Sequence, residues 1–175
     1  MYFVLPSLMC AALVTIDQVS KYLSVQFLRS DGPIDLIPGV FQLSYVENQG
    51  ASFGLFQGGR WIFVALTLVV IGVIISYFAK LPRDKRFNSL RLALIFISAG
   101  AVGNLIDRIL NGYVVDMFYF VPIDFPVFNV ADSCVVCGTI LMLFLFLFKQ
   151  KDMAALSKAI LSKTSIAKQM EEDTK

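Results

Sequence analysis

The 175-residue chain contains no histidine and only three cysteines. Without histidine it cannot form a His-based catalytic triad, a histidine-rich metal site or the usual neutral-pH base, so acid–base chemistry must use Asp, Glu, Lys, Tyr or Cys. Cys134 and Cys137 form a Cys-x-x-Cys pair, but no second pair completes a zinc site. We interpret the cysteines as small hydrophobic side chains and expect neither a metal nor a cofactor.

The chain also lacks an excess of charge of either sign. It has 15 basic and 13 acidic residues, which gives no argument for binding nucleic acid. Hydrophobic residues instead make up 57% of the sequence, and the mean hydropathy is +0.73. Soluble domains contain about 45–50% apolar residues, so this composition indicates a protein whose surface lies largely in lipid.

Four segments are long and apolar enough to cross a membrane, which requires about 20 residues each. The predicted spans are about 2–21, 61–79, 88–110 and 131–148, and the second contains no charged residue. Residues 28–58 contain turn sequences and β-forming residues instead. The predicted fold class is therefore mainly α: a four-helix transmembrane bundle with a small extracytoplasmic β-rich patch.

The distribution of basic residues predicts the orientation of these spans. The connection between the second and third spans and the C-terminal tail are rich in Lys and Arg, whereas the third-to-fourth connection has none. Both termini should therefore be cytoplasmic. We expect residues 1–150 to form one integral membrane catalytic domain, and the tail 151–175 to be either an amphipathic helix at the membrane surface or disordered.

This orientation brings the ionisable groups of the spans into one layer near the outer leaflet. Asp116 and Asp132 are the most informative of them, because ionised carboxylates near hydrocarbon are costly and mark functional sites. Two adjacent carboxylates can share one proton, as in aspartyl hydrolases. Taken separately, Asp132 could be only a helix-capping residue and Asp116 only an exposed loop acid.

Other polar residues of this layer have both structural and functional interpretations. The four-residue spacing of Asp17 and Lys21 on one helix face predicts a salt bridge that also shapes the site. We expect Asp107 to have a structural role. Arg108 could either form an ion pair with Asp107 or bind substrate. Asn48 could be a polar ligand for the substrate, and Gly50 would let the backbone approach it closely. Asn104 is a further polar residue of the third span, and Asn129 is a candidate cap for the fourth helix.

The chain resembles bacterial lipoprotein signal peptidase, also called signal peptidase II, at five sequence motifs that occur in the family's order. The matching segments are Asp17-Gln18-Val19-Ser20-Lys21, Asn48-Gln49-Gly50-Ala51-Ser52-Phe53, Gly103-Asn104-Leu105-Ile106-Asp107-Arg108, Val114-Val115-Asp116-Met117 and Phe128-Asn129-Val130-Ala131-Asp132. The departures are Glu47 before the second motif, Gly100-Ala101 where a Gly-Gly pair is frequent, and a longer tail.

The resemblance implies an aspartyl endopeptidase of the bacterial inner membrane. Such an enzyme cleaves the signal peptide from a prolipoprotein, N-terminal to a cysteine that carries diacylglycerol. Asp116 and Asp132 match the family's catalytic pair. The positions that match around the substrate or the pair are Asn48, Gly50, Asn104, Arg108 and Asn129, with Asp17, Lys21 and Asp107 in support. The implied partners are the prolipoprotein, membrane lipid and a globomycin-type cyclic peptide inhibitor.

A small proton-coupled transporter is the alternative from another functional class. Intramembrane acidic and basic residues also mark proton pathways. Transport predicts polar groups through the full depth of the membrane, however, and the second span offers none.

Overall fold

The computed structural model describes residues 4–50 and 58–149, together with 154, 156–158 and 161. Its four long helices are α1 Val4–Asp31, α2 Arg60–Lys80, α3 Asn88–Leu110 and α4 Val130–Phe148. Each is long and apolar enough to cross a membrane. Together with one small sheet, they confirm the predicted class of a mainly α four-helix transmembrane bundle.

Three antiparallel strands form the sheet in the order β1-β2-β3: β1 Ile34–Ile37, β2 Phe41–Asn48 and β3 Val114–Phe120. Strand β3 was not predicted from the sequence. Its first four residues are all buried, so the strand lacks the apolar–polar alternation that identifies a half-buried strand. In the register of β2 with β3, Val46 lies opposite Asp116. The sheet thus extends from the predicted β-rich segment to the candidate aspartate.

Helix α1 continues past its predicted end at Lys21 to Asp31, so the β-rich segment starts later than residue 28. Lys21, Ser24 and Leu28 recur every three or four residues and are buried, which is the pattern of one helix face. This face packs on β3. The Ser24 hydroxyl donates to Met117 Sδ at 3.2 Å, and Leu28 shares an apolar cluster with Met117. The sheet therefore stabilises the extra helical turns.

The 3₁₀ turn Lys85–Phe87 leads from α2 into α3, which packs against α1, α2 and α4. An apolar cluster that includes Ile74, Phe87 and Leu94 fills one end of the bundle. The polar candidate site occupies the other end. The predicted tail 151–175 lies outside the described residues, apart from 154, 156–158 and 161.

Two glycines allow α3 and α4 to approach closely. A Cβ atom at Gly138 would lie 2.7 Å from the carbonyl oxygen of Ala93 and 2.8 Å from Ile97 Cγ1. A Cβ atom at Gly100 would overlap the carbonyl oxygen of Ala131. Small residues at such contacts let helix backbones pack against each other in a membrane.

We expect Gly138→Ala to lower the free energy of unfolding, because α3 and α4 must separate to admit the added methyl group. Overpacking of this kind typically costs about 1–3 kcal/mol. Thermal unfolding in detergent measures the change. Gly72→Ala on α2 is the control, since a Cβ atom there meets nothing within 4 Å. Equal unfolding temperatures for both variants would contradict close packing at Gly138.

Candidate active site

Asp116 and Asp132 line a single cavity of about 620 Å³. Asp116 lies on β3 and is only 1% exposed, whereas Asp132 lies in the first turn of α4. Polar groups from β2 and α3 complete the wall, together with the apolar side chains of Phe128 and Val136. Strand β3 and helix α4 thus bring the two predicted carboxylates to the same opening.

Asn129 connects the two carboxylates. Its Nδ2 donates to Asp116 Oδ1 at 2.6 Å, and its backbone N–H donates to Asp132 Oδ2 at 3.1 Å. The Asn129 Oδ1 atom accepts from the backbone N–H of Asp132 at 2.9 Å, which completes a capping box. The predicted cap of α4 is therefore confirmed. One fully buried asparagine both begins the helix and holds the two acids in a fixed relation.

Two further amides donate to the carboxylate oxygens that Asn129 does not contact. Asn48 Nδ2 donates to Asp116 Oδ2 at 2.9 Å, and Asn104 Nδ2 donates to Asp132 Oδ1 at 2.7 Å. Each of the four carboxylate oxygens consequently accepts a hydrogen bond from an uncharged donor. These donors fix the positions of the acids without placing a positive charge in contact with either of them.

Burial raises the pKa of Asp116 to about 7. The negative charge of Asp132 acts in the same direction, because two nearby carboxylates resist ionising together. Hydrogen bonds from Asn48 and Asn129 and the charge of Lys21 oppose this increase in the pKa. Asp116 is therefore an acid that can hold a proton close to neutral pH.

A buried cation lies behind the carboxylate pair. Lys21 Nζ contacts Asp17 Oδ2 at 2.9 Å, Asp107 Oδ2 at 3.1 Å and Asn104 Oδ1 at 2.9 Å. An ammonium group has three donors, and these three oxygens match them. The predicted Asp17–Lys21 pair is present, and Asp107 joins it from α3.

The two acids of this cluster also bind the backbone of neighbouring elements. Asp17 Oδ1 accepts from the N–H of Ala131 in the first turn of α4, at 2.8 Å. Asp107 Oδ2 accepts from the N–H of Val115 on β3, at 3.0 Å. The cluster therefore joins α1 and α3 to the elements that carry the two candidate catalytic residues.

Gln18 is a member of this network to which the sequence analysis gave no role. Its Nε2 donates to the carbonyl oxygen of Gly103 at 3.2 Å and to Asp107 Oδ1 at 3.0 Å. The available signal was its position next to Asp17 in a predicted span, where a polar amide requires a hydrogen-bonding partner.

The side chain of Arg108 lines the cavity and does not pair with Asp107. Its guanidinium lies 4.9 Å from the ring centre of Phe63, and Nη2 is 3.5 Å from the carbonyl oxygen of Gly50. Within residues 4–50 and 58–149 it forms no salt bridge, so the alternative of an Arg108–Asp107 pair is wrong. The loose contact with Gly50 leaves the guanidinium able to bind another group.

Asn48 and Gly50 also line the cavity. The Gly50 N–H donates to Asn48 Oδ1 at 3.0 Å, which forms the turn after β2. The rest of this motif, residues 51–53, lies outside the described residues.

Among the described residues, no group of three or more Cys, Asp or Glu side chains is arranged to hold a metal ion.

Comparison with known proteins assigns this arrangement to a family. The sequence pattern of Signal peptidase (SPase) II matches residues 9–148. The chain belongs to the signal peptidase II family. It therefore has the peptidase function of that family, whose members act on prolipoproteins.

Individual relatives agree with this assignment. The lipoprotein signal peptidases of Brevibacillus brevis and Symbiobacterium thermophilum are each 44% identical to the chain, over 83% and 81% of its length and 97% and 93% of their own. Two solved structures, each described as a bacterial membrane enzyme, are 31% identical. Their TM-scores are 0.74 and 0.72, over 83% and 82% of this chain and 88% and 92% of theirs.

In this signal peptidase II, we expect Lys21→Met to destabilise the fold severely. Removing the ammonium leaves two buried carboxylates, Asp17 and Asp107, without their cation, and breaking a buried pair costs about 3–5 kcal/mol. Thermal unfolding in detergent measures the loss. The control is Arg29→Met, which removes an exposed pair with Glu47 and a contact with the ring of Tyr45, and should cost about 1 kcal/mol. Similar unfolding temperatures in both variants would contradict a structural role for the buried cluster.

Proposed function

We propose that the protein is an aspartyl endopeptidase in which Asp116 and Asp132 form the catalytic pair. It cleaves the signal peptide N-terminal to the diacylglyceryl-modified cysteine of a prolipoprotein. The observation that carries this proposal is the arrangement around Asn129, which donates to both carboxylates at the wall of one cavity. A polypeptide chain in that cavity would meet both acids together.

The chemistry requires one proton shared by the pair. Asp132, at the N-terminus of α4, is favoured as the anion by the helix dipole. It accepts a proton from a water molecule, whose oxygen attacks the scissile carbonyl carbon. Asp116 donates its proton to the carbonyl oxygen. When the tetrahedral intermediate collapses, Asp132 transfers its proton to the leaving nitrogen and Asp116 recovers its own from the hydroxyl group, so the pair returns to its starting state.

Residues that line the cavity position the substrate in this proposal. Arg108 has donors available for substrate carbonyl oxygens, because its contact with Gly50 is long. Phe128, Val135 and Val136 provide an apolar wall for the residues next to the scissile bond. A globomycin-type cyclic peptide would occupy the same cavity.

The proposed orientation places the cavity near the outer leaflet of the bacterial inner membrane, with both termini cytoplasmic. The arginine- and lysine-rich connection between α2 and α3 lies at the opposite end of the bundle from the aspartates. Positive residues favour the cytoplasmic side. Diacylglycerol anchored in the outer leaflet would hold the substrate cysteine at the depth of the carboxylate pair.

Asp116→Asn and Asp132→Asn should each lower cleavage of a diacylglyceryl-modified prolipoprotein by at least about 10⁴-fold, since removing one member of a catalytic unit removes its function. The assay uses the purified protein, with thermal unfolding as the check of folding. Asp124→Asn is the matched control, because Asp124 is an exposed acid whose side chain hydrogen-bonds only to Tyr119 among the described residues.

Two results would contradict parts of this proposal. Near-parental cleavage by either folded Asp116→Asn or folded Asp132→Asn would remove that residue from the catalytic pair. Equal cleavage of a prolipoprotein without diacylglycerol would show that the lipid does not position the substrate.

Cleavage should slow as the pH rises through about 7, because Asp116 then loses the proton that it donates. Asn48→Ala removes a hydrogen bond that favours the ionised form of Asp116, so it should raise the pKa of Asp116 and move the decline to higher pH. The measurement is the pH profile of kcat/KM. Gln42→Ala, also on β2 but bonded to Asp35, should leave the profile unchanged. An unshifted profile in Asn48→Ala would mean that another group titrates.

A further inference from the structure

Helices α1 and α3 are in contact at the aspartate end of the bundle but enclose a groove at the other end. Gln18 of α1 contacts Gly103 of α3 near the active site. Toward the start of both helices, a cavity of about 660 Å³ separates Leu5 and Met9 from Ile95. Ligand pockets typically measure about 300–1,000 Å³, so the groove is large enough for a flexible apolar ligand. None of the residues in it belongs to the candidate active site.

A basic turn forms one end of this groove. Lys85, in the 3₁₀ turn before α3, lines the cavity and is exposed. Its neighbour Arg86 is paired with Asp84 at 2.6 Å, whereas Lys85 forms no ion pair with any described residue. Lys85 is therefore available to bind an anion at the end of an apolar slot.

Arg91 holds this turn in place. Its guanidinium donates to Asn88 Oδ1 at 2.7 Å, to the carbonyl oxygen of Asp84 at 3.1 Å and to that of Pro82. Although it is only 7% exposed, Arg91 lines the same cavity. The position of Lys85 relative to the groove is thus fixed by a buried side chain rather than by a loop alone.

We propose that this groove binds one anionic phospholipid, with its phosphate on Lys85 and an acyl chain between α1 and α3. Charge complementarity supports this occupant, because the exposed ammonium of Lys85 lies at the end of an apolar slot. Basic pockets between membrane helices recognise anionic headgroups in this way. The site lies at the opposite end of the bundle from the carboxylate pair and does not depend on the cleavage chemistry.

The test measures lipid retained by the purified full chain in neutral detergent, by native mass spectrometry. Phosphatidylglycerol should bind more tightly than phosphatidylcholine with the same acyl chains. Lys85→Gln should weaken phosphatidylglycerol binding about fivefold, the effect of one basic side chain near a lipid surface. Lys80→Gln is the matched control: Lys80 is also an exposed lysine at this end of the bundle, but it lines a different cavity.

A second pair of variants tests the acyl slot. Leu92→Trp places a larger side chain in the groove and should reduce binding of phosphatidylglycerol. Leu68→Trp adds the same side chain at an exposed position of α2 and should not. Prolipoprotein cleavage by all four variants should match that of the parent, which checks folding separately from lipid binding.

Three outcomes would overturn the site. Equal weakening by Lys80→Gln and Lys85→Gln would indicate attraction to a generally basic surface. Equal retention of phosphatidylcholine and phosphatidylglycerol would remove charge recognition. Displacement of the bound phospholipid by an uncleavable signal peptide would assign the groove to the substrate instead.

Discussion

The site depends on one buried ammonium group. Lys21 is 3% exposed and contacts two carboxylates and one amide oxygen. Desolvating a charge costs several kcal/mol unless partners surround it, so Asp17 and Asp107 have to converge on Lys21. Because these acids also accept from the backbones of α4 and β3, the requirement to neutralise one cation determines how four elements of the fold meet.

The buried ion pairs of Lys21 are separate from the candidate catalytic pair. Around the candidate catalytic pair, the donors to the carboxylate oxygens are the side chains of Asn48, Asn104 and Asn129 and one backbone N–H. A cation in direct contact would favour the ionised carboxylate and work against retention of a shared proton. Placing Lys21 behind Asn104 stabilises the fold while Asp116 keeps a pKa near neutral.

Hydropathy was sufficient to predict four spans, because lipid requires long apolar helices with internally bonded backbones. The motif Asn129 to Asp132 predicted a helix cap, since capping is a local interaction. Strand β3 and the extension of α1 were missed because each depends on burial against the other, which local sequence does not encode. The pairing of Asp107 with Lys21 rather than with Arg108 is likewise a choice between partners from two helices, and only packing decides it.

Asn104 connects the buried ammonium group of Lys21 to the candidate catalytic residue Asp132. Its Oδ1 accepts from Lys21 at 2.9 Å and from Asn129 at 3.2 Å, and its Nδ2 donates to Asp132. An amide has one acceptor and one donor end, so the contact with an ammonium determines which end faces Asp132. A carboxylate at this position would lose the donor and place a third acid beside the pair. The orientation of the amide that donates to Asp132 is therefore set by a lysine that does not contact Asp132.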